Sequence, residues 1–245
     1  MFAFVDERLS GLPINYVATH RGNPDGMVVL MPAALSPGRS DRQRIFYTRA
    51  TWQDQWPTSD VICFSDPAIG QDSRLNGAWY MHRDHDVIQA LADLVIEQAD
   101  ARNIPHNRIV VYGSSLGGFG ALMLAAHIPG ARAVAEVPQL DFALWLPSAV
   151  VEVEKYILGE PVKEFRKRHP ERVSVLHRFL FAGRIPEFSI LTNGNDFRIA
   201  EQRKFMQWVR KSKLPKNGMN LLIENDTTFG HEVLSKDQLV RFVQP

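Results

Sequence analysis

The apolar run Val110-Val111-Tyr112 meets a glycine-dense stretch, Gly113-Ser114-Ser115-Leu116-Gly117-Gly118-Phe119-Gly120, which leads into Ala121-Leu122-Met123-Leu124-Ala125-Ala126. The first run has the β-branched and aromatic character of a buried strand end, and the last reads as helix. Glycines between them let the chain turn sharply. The middle of the chain must therefore fold as strand, tight corner and helix, with two serines at the corner.

The rest of the chain repeats that rhythm. Short β-rich runs at 14–20, 27–31, 60–65, 108–112, 131–137, 188–192 and 220–224 alternate with helical stretches. Such alternation predicts an α/β fold, a mostly parallel central sheet covered by helices. Val87, Ile88, Leu91, Leu94 and Val95 recur at helical spacing, and Pro105 closes the connection, so 60–112 reads as a βαβ crossover. A further helix is expected over about 199–211, and the segment after His231 reads as helical, with Leu234, Leu239 and Phe242 as packing residues. The chain has no internal repeat and no low-complexity tract.

With 245 residues, 45% of them hydrophobic, residues 1–245 can bury one large core and are expected to form one domain. A formal net charge of +1 argues against wholesale neutralisation of a nucleic-acid backbone, so nucleic acid is not an expected partner. MFAFVDERL lacks a basic start followed by a long apolar core, and nowhere do about eighteen uncharged apolar residues follow one another. The expectation is a cytoplasmic protein without an integral membrane segment. Its single cysteine, Cys63, sits in Val61-Ile62-Cys63-Phe64 and reads as a buried strand thiol, which excludes an intrachain disulfide or a thiolate zinc site.

Residues 139–186 break the rhythm, because a parallel crossover usually needs far fewer. They are expected to form an inserted helical cap. The segment opens with Phe142, Leu144, Trp145 and Leu146 and turns basic around Lys163, Arg166, Lys167, Arg168, Arg172 and Arg178. Two readings stand: a solvated helix face over core aromatics, or a cap that recognises an anionic group through residues such as Arg166 and Arg168.

Gly113-Ser114-Ser115-Leu116-Gly117 fits G-x-S-x-G with Ser115 at its centre, the position where a strained turn projects a hydroxyl above the sheet edge. Ser115, rather than Ser114, is thus the candidate nucleophile. A serine hydroxyl is a poor nucleophile at neutral pH, so a histidine base and an orienting carboxylate must accompany it. Asp196 follows the run at 188–192, in Asn193-Gly194-Asn195-Asp196, and His231 follows the next run, in Thr227-Thr228-Phe229-Gly230-His231. Both fall where parallel sheets gather functional loops. Each also has an ordinary reading as a turn or helix-start residue. Glu136 and Asp226 are competing acids.

An acyl-transfer site also needs donors aimed at a developing oxyanion. The N–H of Leu116 follows the nucleophile and heads the next helix. A second donor should come from Pro32-Ala33-Ala34-Leu35, where proline has no N–H; Ala33 and Ala34 are the candidates, with Ala34 preferred.

These residues resemble the α/β-hydrolase superfamily from about Met27 to Phe242. The resemblance implies a three-layer sandwich with helices on both faces, a covalent acyl-enzyme on Ser115, His231 as general base and acid, and Asp196 as its orienting partner. The His-Gly-type oxyanion sequence of many lipases and esterases is replaced by Pro32-Ala33-Ala34. Asn76-Gly77-Ala78-Trp79-Tyr80, the doubled serine and Val137-Pro138-Gln139 are similar to a branch containing bacterial polysaccharide O-acetyltransferases and accessory secretion proteins. Trp79, Gln139 and Trp145 therefore join Arg166 and Arg168 as candidate substrate-binding residues.

Three functions follow as expectations. The first is a serine esterase acting on short-chain, acetyl-type carboxylic esters. The second is an O-acetyltransferase moving acetyl from acetyl-CoA to a polysaccharide or sugar hydroxyl, and the third a non-catalytic scaffold or secretion partner that retains the fold. The expected partner is a small-molecule ester or a carbohydrate, and no cofactor is required beyond acetyl-CoA as a donor substrate in the second case. His82, Asp84, His85 and Asp86 invite a metal reading, but with no second cluster to converge on them they read as a capped, charged helix start. His231-Glu232 lacks the second histidine of the zinc-protease motif.

Overall fold

Eight runs rich in Val, Ile, Leu, Phe and Ala form the strands of a computed structural model that describes residues 1–35, 45–225 and 230–245. They are β1 (Phe2–Asp6), β2 (Ile14–Thr19), β3 (Met27–Leu30), β4 (Asp60–Phe64), β5 (Ile109–Ser114), β6 (Arg132–Glu136), β7 (Glu187–Asn193) and β8 (Asn220–Asn225). They make one sheet in the order β1-β2-β4-β3-β5-β6-β7-β8. All neighbours from β4 to β8 run parallel, while β1 and β2 join the β4 edge antiparallel. The central strands β3, β4 and β5 are buried along their whole length, as strands covered on both faces must be.

Alternation along each strand sorts side chains between two cores. Ile109 and Val111 of β5 face a large cluster with α1 (Val87–Ala101), α2 (Leu116–Ala125) and α7 (Ile199–Lys211). Val110 and Tyr112 face the other side, where they join Trp56, Leu239 and Val243. Cys63 belongs to that second cluster; burial pushes its thiol up to about 12, and its S–H donates to the Thr48 carbonyl.

The segment between β6 and β7 folds as α3 (Pro147–Val153), α4 (Val162–Arg168), α5 (Pro170–Val173) and α6 (Val175–Ala182). Pro147 and Pro170 occupy first-turn positions, where a missing N–H costs nothing, and Gly183 closes α6 at φ 70°. Among the described residues, no helix is long and apolar enough to cross a membrane.

Two elements differ from the sequence reading. β1 has no counterpart in it, because Phe2, Phe4 and Val5 are exposed and offer no core-facing alternation. After His231 the described helix is only α8 (Lys236–Leu239), capped by Ser235 and Gln238. Beyond it the carbonyls are taken by tertiary partners: Trp56 donates to Val243, and Arg132 donates to Phe242 and Gln244. Leu234, Leu239 and Phe242 still pack in the second core.

Candidate active site

β5 delivers Ser115 to the C-terminal edge of the sheet at φ 54°, ψ −117°, a region that residues with a Cβ rarely occupy. Two glycines make the corner possible. A Cβ on Gly113 would lie 2.2 Å from the Gly117 backbone, and one on Gly117 would lie 2.8 Å from the Met31 carbonyl oxygen. Without side chains there, α2 starts directly against β5 and against the loop after β3. Ser115 N–H donates to Glu136 O at 2.8 Å, which ties the corner to the end of β6.

His231 and Asp196 converge on this corner. His231 Nε2 lies 3.1 Å from Ser115 Oγ, and Nδ1 lies 2.8 Å from Asp196 Oδ2. An ionised carboxylate only accepts, so Nδ1 carries the imidazole proton and Nε2 is left free to accept. Asp196, 2% exposed, also takes the Arg198 N–H on Oδ1 at 2.6 Å. Ser114 points elsewhere: its Oγ accepts from Arg49 Nη2 at 2.9 Å, and the Arg49 guanidinium packs on Trp52 and Tyr112.

The competing acids resolve differently. Glu136 holds the Leu234 N–H and accepts from the Tyr112 hydroxyl at 2.7 Å, so it braces the segment that carries His231 without touching the imidazole. Burial raises its carboxyl above the usual range, against the pull of those two donors. Asp226 lies outside the described residues.

The loop after β3 carries the backbone N–H groups of Ala33 and Ala34. Ala33 N–H is spent on Thr48 Oγ1 at 3.2 Å, and among the described residues nothing accepts from Ala34 N–H. Leu116 N–H stands at the head of α2, where it has no intrahelical acceptor. Tyr80 braces the loop by donating its hydroxyl to Pro32 O at 3.1 Å. A cavity of about 340 Å³ opens beside Ala33, Ala34, Phe46, Tyr47, Thr48 and Arg49.

Gln139 Nε2 donates to Ser115 Oγ at 2.6 Å, and Gln139 Oε1 accepts from Trp79 Nε1 at 3.2 Å. Trp145 and Phe197 flank His231, with ring centroids 5.6 and 5.1 Å from the imidazole, and Arg198 lies over both rings. Arg166 and Arg168 are not drawn into this group. Arg166 pairs with Asp141 at 2.7 Å, and Arg168 pairs with Glu160. In the histidine-rich segment, Asp86 caps α1 through the Gln89 N–H, and among the described residues no three metal-ligating side chains converge.

Several contributors carry no signal of their own in the sequence. Asn193 Nδ2 donates to Gly230 O at 2.8 Å and Glu232 O at 2.9 Å, gripping the chain on both sides of His231, while Asn195 Oδ1 takes the Gly230 N–H. Asp66, at the end of β4, accepts the N–H groups of Ala68, Ala78 and Tyr80 and so shapes the Trp79 turn. Burial pushes its carboxyl up to about 6 despite those donors. Gly230 and Glu232 lie 37 and 39 residues from Asn193, and Ala78 and Tyr80 lie 12 and 14 residues from Asp66, so the fold alone brings these partners together.

The sheet, with its strand-corner-helix at Ser115 and its loops gathered at one edge, is an α/β-hydrolase fold. No protein-family model and no curated protein sequence matches the chain. Solved structures do. The capsule O-acetyltransferase of Neisseria meningitidis serogroup A aligns with a TM-score of 0.67 at 14% identity, over 96% of this chain and 94% of that one. An S-formylglutathione hydrolase from Agrobacterium tumefaciens aligns with a TM-score of 0.60 at 12% identity, over 98% and 89%. The corresponding hydrolase from Staphylococcus aureus aligns at 0.57 and 14%, over 99% and 96%. At these identities the likeness establishes the fold.

Proposed function

We propose that this protein is a serine acyl-transfer enzyme that works through an acyl-enzyme on Ser115 and hydrolyses short-chain carboxylic esters. The observation that carries the reading is the relay Ser115 Oγ, His231 Nε2, His231 Nδ1, Asp196 Oδ2, with links of 3.1 and 2.8 Å, on a residue held at φ 54°. His231 Nε2 takes the hydroxyl proton as Oγ bonds to the ester carbonyl carbon, and the carbonyl electrons move onto oxygen. The N–H groups of Leu116 and Ala34 are the donors assigned to that oxyanion. Collapse breaks the bond to the alcohol, which leaves with the proton from His231. Water then enters with His231 as base, and the acid and Ser115 are released. The chemistry requires no cofactor.

A second reading, transfer of the acyl group to a sugar hydroxyl, is favoured by one observation. The fold of a capsule O-acetyltransferase matches nearly the whole of both chains. The exposed face of Phe197 beside His231 suits a pyranose ring as well as it suits an apolar alcohol. Acetyl-CoA is the natural donor in that case. Recognition of its phosphates through Arg166 and Arg168 would compete with Asp141 and Glu160, so the proposal does not rest on those residues.

Turnover of acetyl esters by wild type, Ser115→Ala and Ser114→Ala tests the assignment. Ser115→Ala should lose nearly all activity, whereas Ser114→Ala should keep most of it, and the reverse ranking would overturn the choice of nucleophile. Adding sugar acceptors to the wild-type assay separates the two readings: acylated sugar instead of free acid favours the transferase.

A further inference from the structure

Positive φ is costly for residues other than glycine, and where several such residues cluster the strain marks a site. Among the described residues six non-glycines have positive φ; Arg49 and Asn103 are two, and the other four are Trp79 (φ 52°), Tyr80 (φ 56°), Ser115 (φ 54°) and Val137 (φ 40°). All four lie on, or one or two residues from, the hydrogen-bonded line Trp79, Gln139, Ser115. Val137 is the most telling, since a β-branched side chain tolerates left-handed backbone least. Its turn sends Pro138 and Gln139 over the nucleophile.

The surroundings leave Gln139 little freedom. It is 1% exposed. Val137 N–H donates to Leu191 O at 2.7 Å, Gln202 Nε2 donates to Pro138 O at 3.2 Å, and Leu140 N–H donates to Glu201 Oε1 at 3.3 Å. The amide cannot flip without loss, because the Trp79 indole N–H is only a donor and therefore demands Oε1. Nε2 must then face Ser115.

We propose that Gln139 is a further catalytic residue, a side-chain donor aimed by Trp79 that serves the reacting oxygens in turn; the inference rests on the acyl-enzyme reading above. In the resting site the Gln139 N–H occupies one lone pair of Ser115 Oγ, which turns the hydroxyl proton toward His231 Nε2 and leaves the other lone pair for the acyl carbon. Once Oγ bonds to that carbon it becomes a weak acceptor. The former carbonyl oxygen, now carrying negative charge, lies one bond angle away, and the N–H shifts to it. A donor that meets more charge in the transition state than in the ground state accelerates the step. Gln139 thus completes the set begun by Leu116 and Ala34, and Trp79 is its positioning residue.

The test is the rate of Ser115 acylation by an activated acetyl ester, followed by rapid quench and peptide mass, with phosphonylation by a fluorophosphonate as a second measure. Gln139→Ala, and Gln139→Met as a variant that keeps the volume, should slow acylation by about 100- to 1,000-fold with little change in KM, the effect of losing one oxyanion donor. Trp79→Phe keeps a ring but lets the amide turn; it should slow acylation less, and not at all further once Gln139 is already Ala. Wild-type rates in the folded Ala and Met variants, or a Trp79→Phe effect that persists without Gln139, would overturn the proposal. A wild-type protein whose Ser115 takes no label would overturn the acyl-enzyme reading, and this inference with it.

Discussion

At the scale of single residues, His231 reaches the end of β7 because Asn193 holds the backbone on either side of it. With both of its N–H bonds spent on Gly230 O and Glu232 O, Asn193 holds the imidazole's segment, together with Asn195 on the Gly230 N–H and Glu136 on the Leu234 N–H. Asn193→Ala should therefore reduce turnover on the order of 100-fold, since misplacing a base by about an ångström costs that much. The same change should cost about 1–3 kcal/mol of stability, measured by denaturant titration, for two carbonyls left short of a donor. Loss of stability with unchanged turnover would show that the base is held by something else. Ser115, Asp196 and His231 were legible in the sequence because a local motif, chain order and strand-end placement converge on them. Asn193 was not, because its partners lie 37 and 39 positions away, and a turn containing asparagine looks the same with or without them.

At the scale of elements, α6 is locked onto the sheet's helical layer by a buried cation. Arg178, with no exposed surface, donates to both oxygens of Asp86, to Glu171 O and to His127 Nε2. Burial and the Arg178 charge lower His127 to about 4, so the ring is neutral and accepting at neutral pH. The sign follows: a folded-state value below the unfolded one adds stability that is present above about 6.5 and lost as pH falls toward about 4. Relative to His127→Gln, which keeps an acceptor, wild type should lose stability across that window, as read by denaturant midpoints at successive pH values. A difference that is flat with pH would mean that His127 does not titrate there. α1 and α7 were legible from their 3.6-residue period. Of the helix expected after His231, only the turn Lys236–Leu239 forms, opened by the Ser235 capping box.

For the molecule as a whole, the strand order explains why the site lies where it does. From β3 the chain goes to its neighbour β4 on one side, and from β5, the neighbour of β3 on the other side, it goes on outward to β6. The loops after β3 and β5 therefore part at the C-terminal edge and leave the crevice in which α/β sheets place their ligands. Ala34 and Ser115 flank that crevice, and the ends of β6, β7 and β8 bring in Gln139, Asp196 and His231. The alternation of strand and helix was visible in the sequence. The reversal at β3 was not, since neighbours in a sheet are chosen by packing across the fold.

In the proposed reaction Ser115 carries the acyl group. Rapid quench with isotopically labelled acetyl-CoA and, in parallel, a labelled activated acetyl ester, followed by peptide mass spectrometry, addresses it directly. Wild type should carry label on Ser115 from at least one donor, with none there in Ser115→Ala or after His231→Ala. Labelled product formed with no label on Ser115 at any quench time, or label on Ser114, would contradict it.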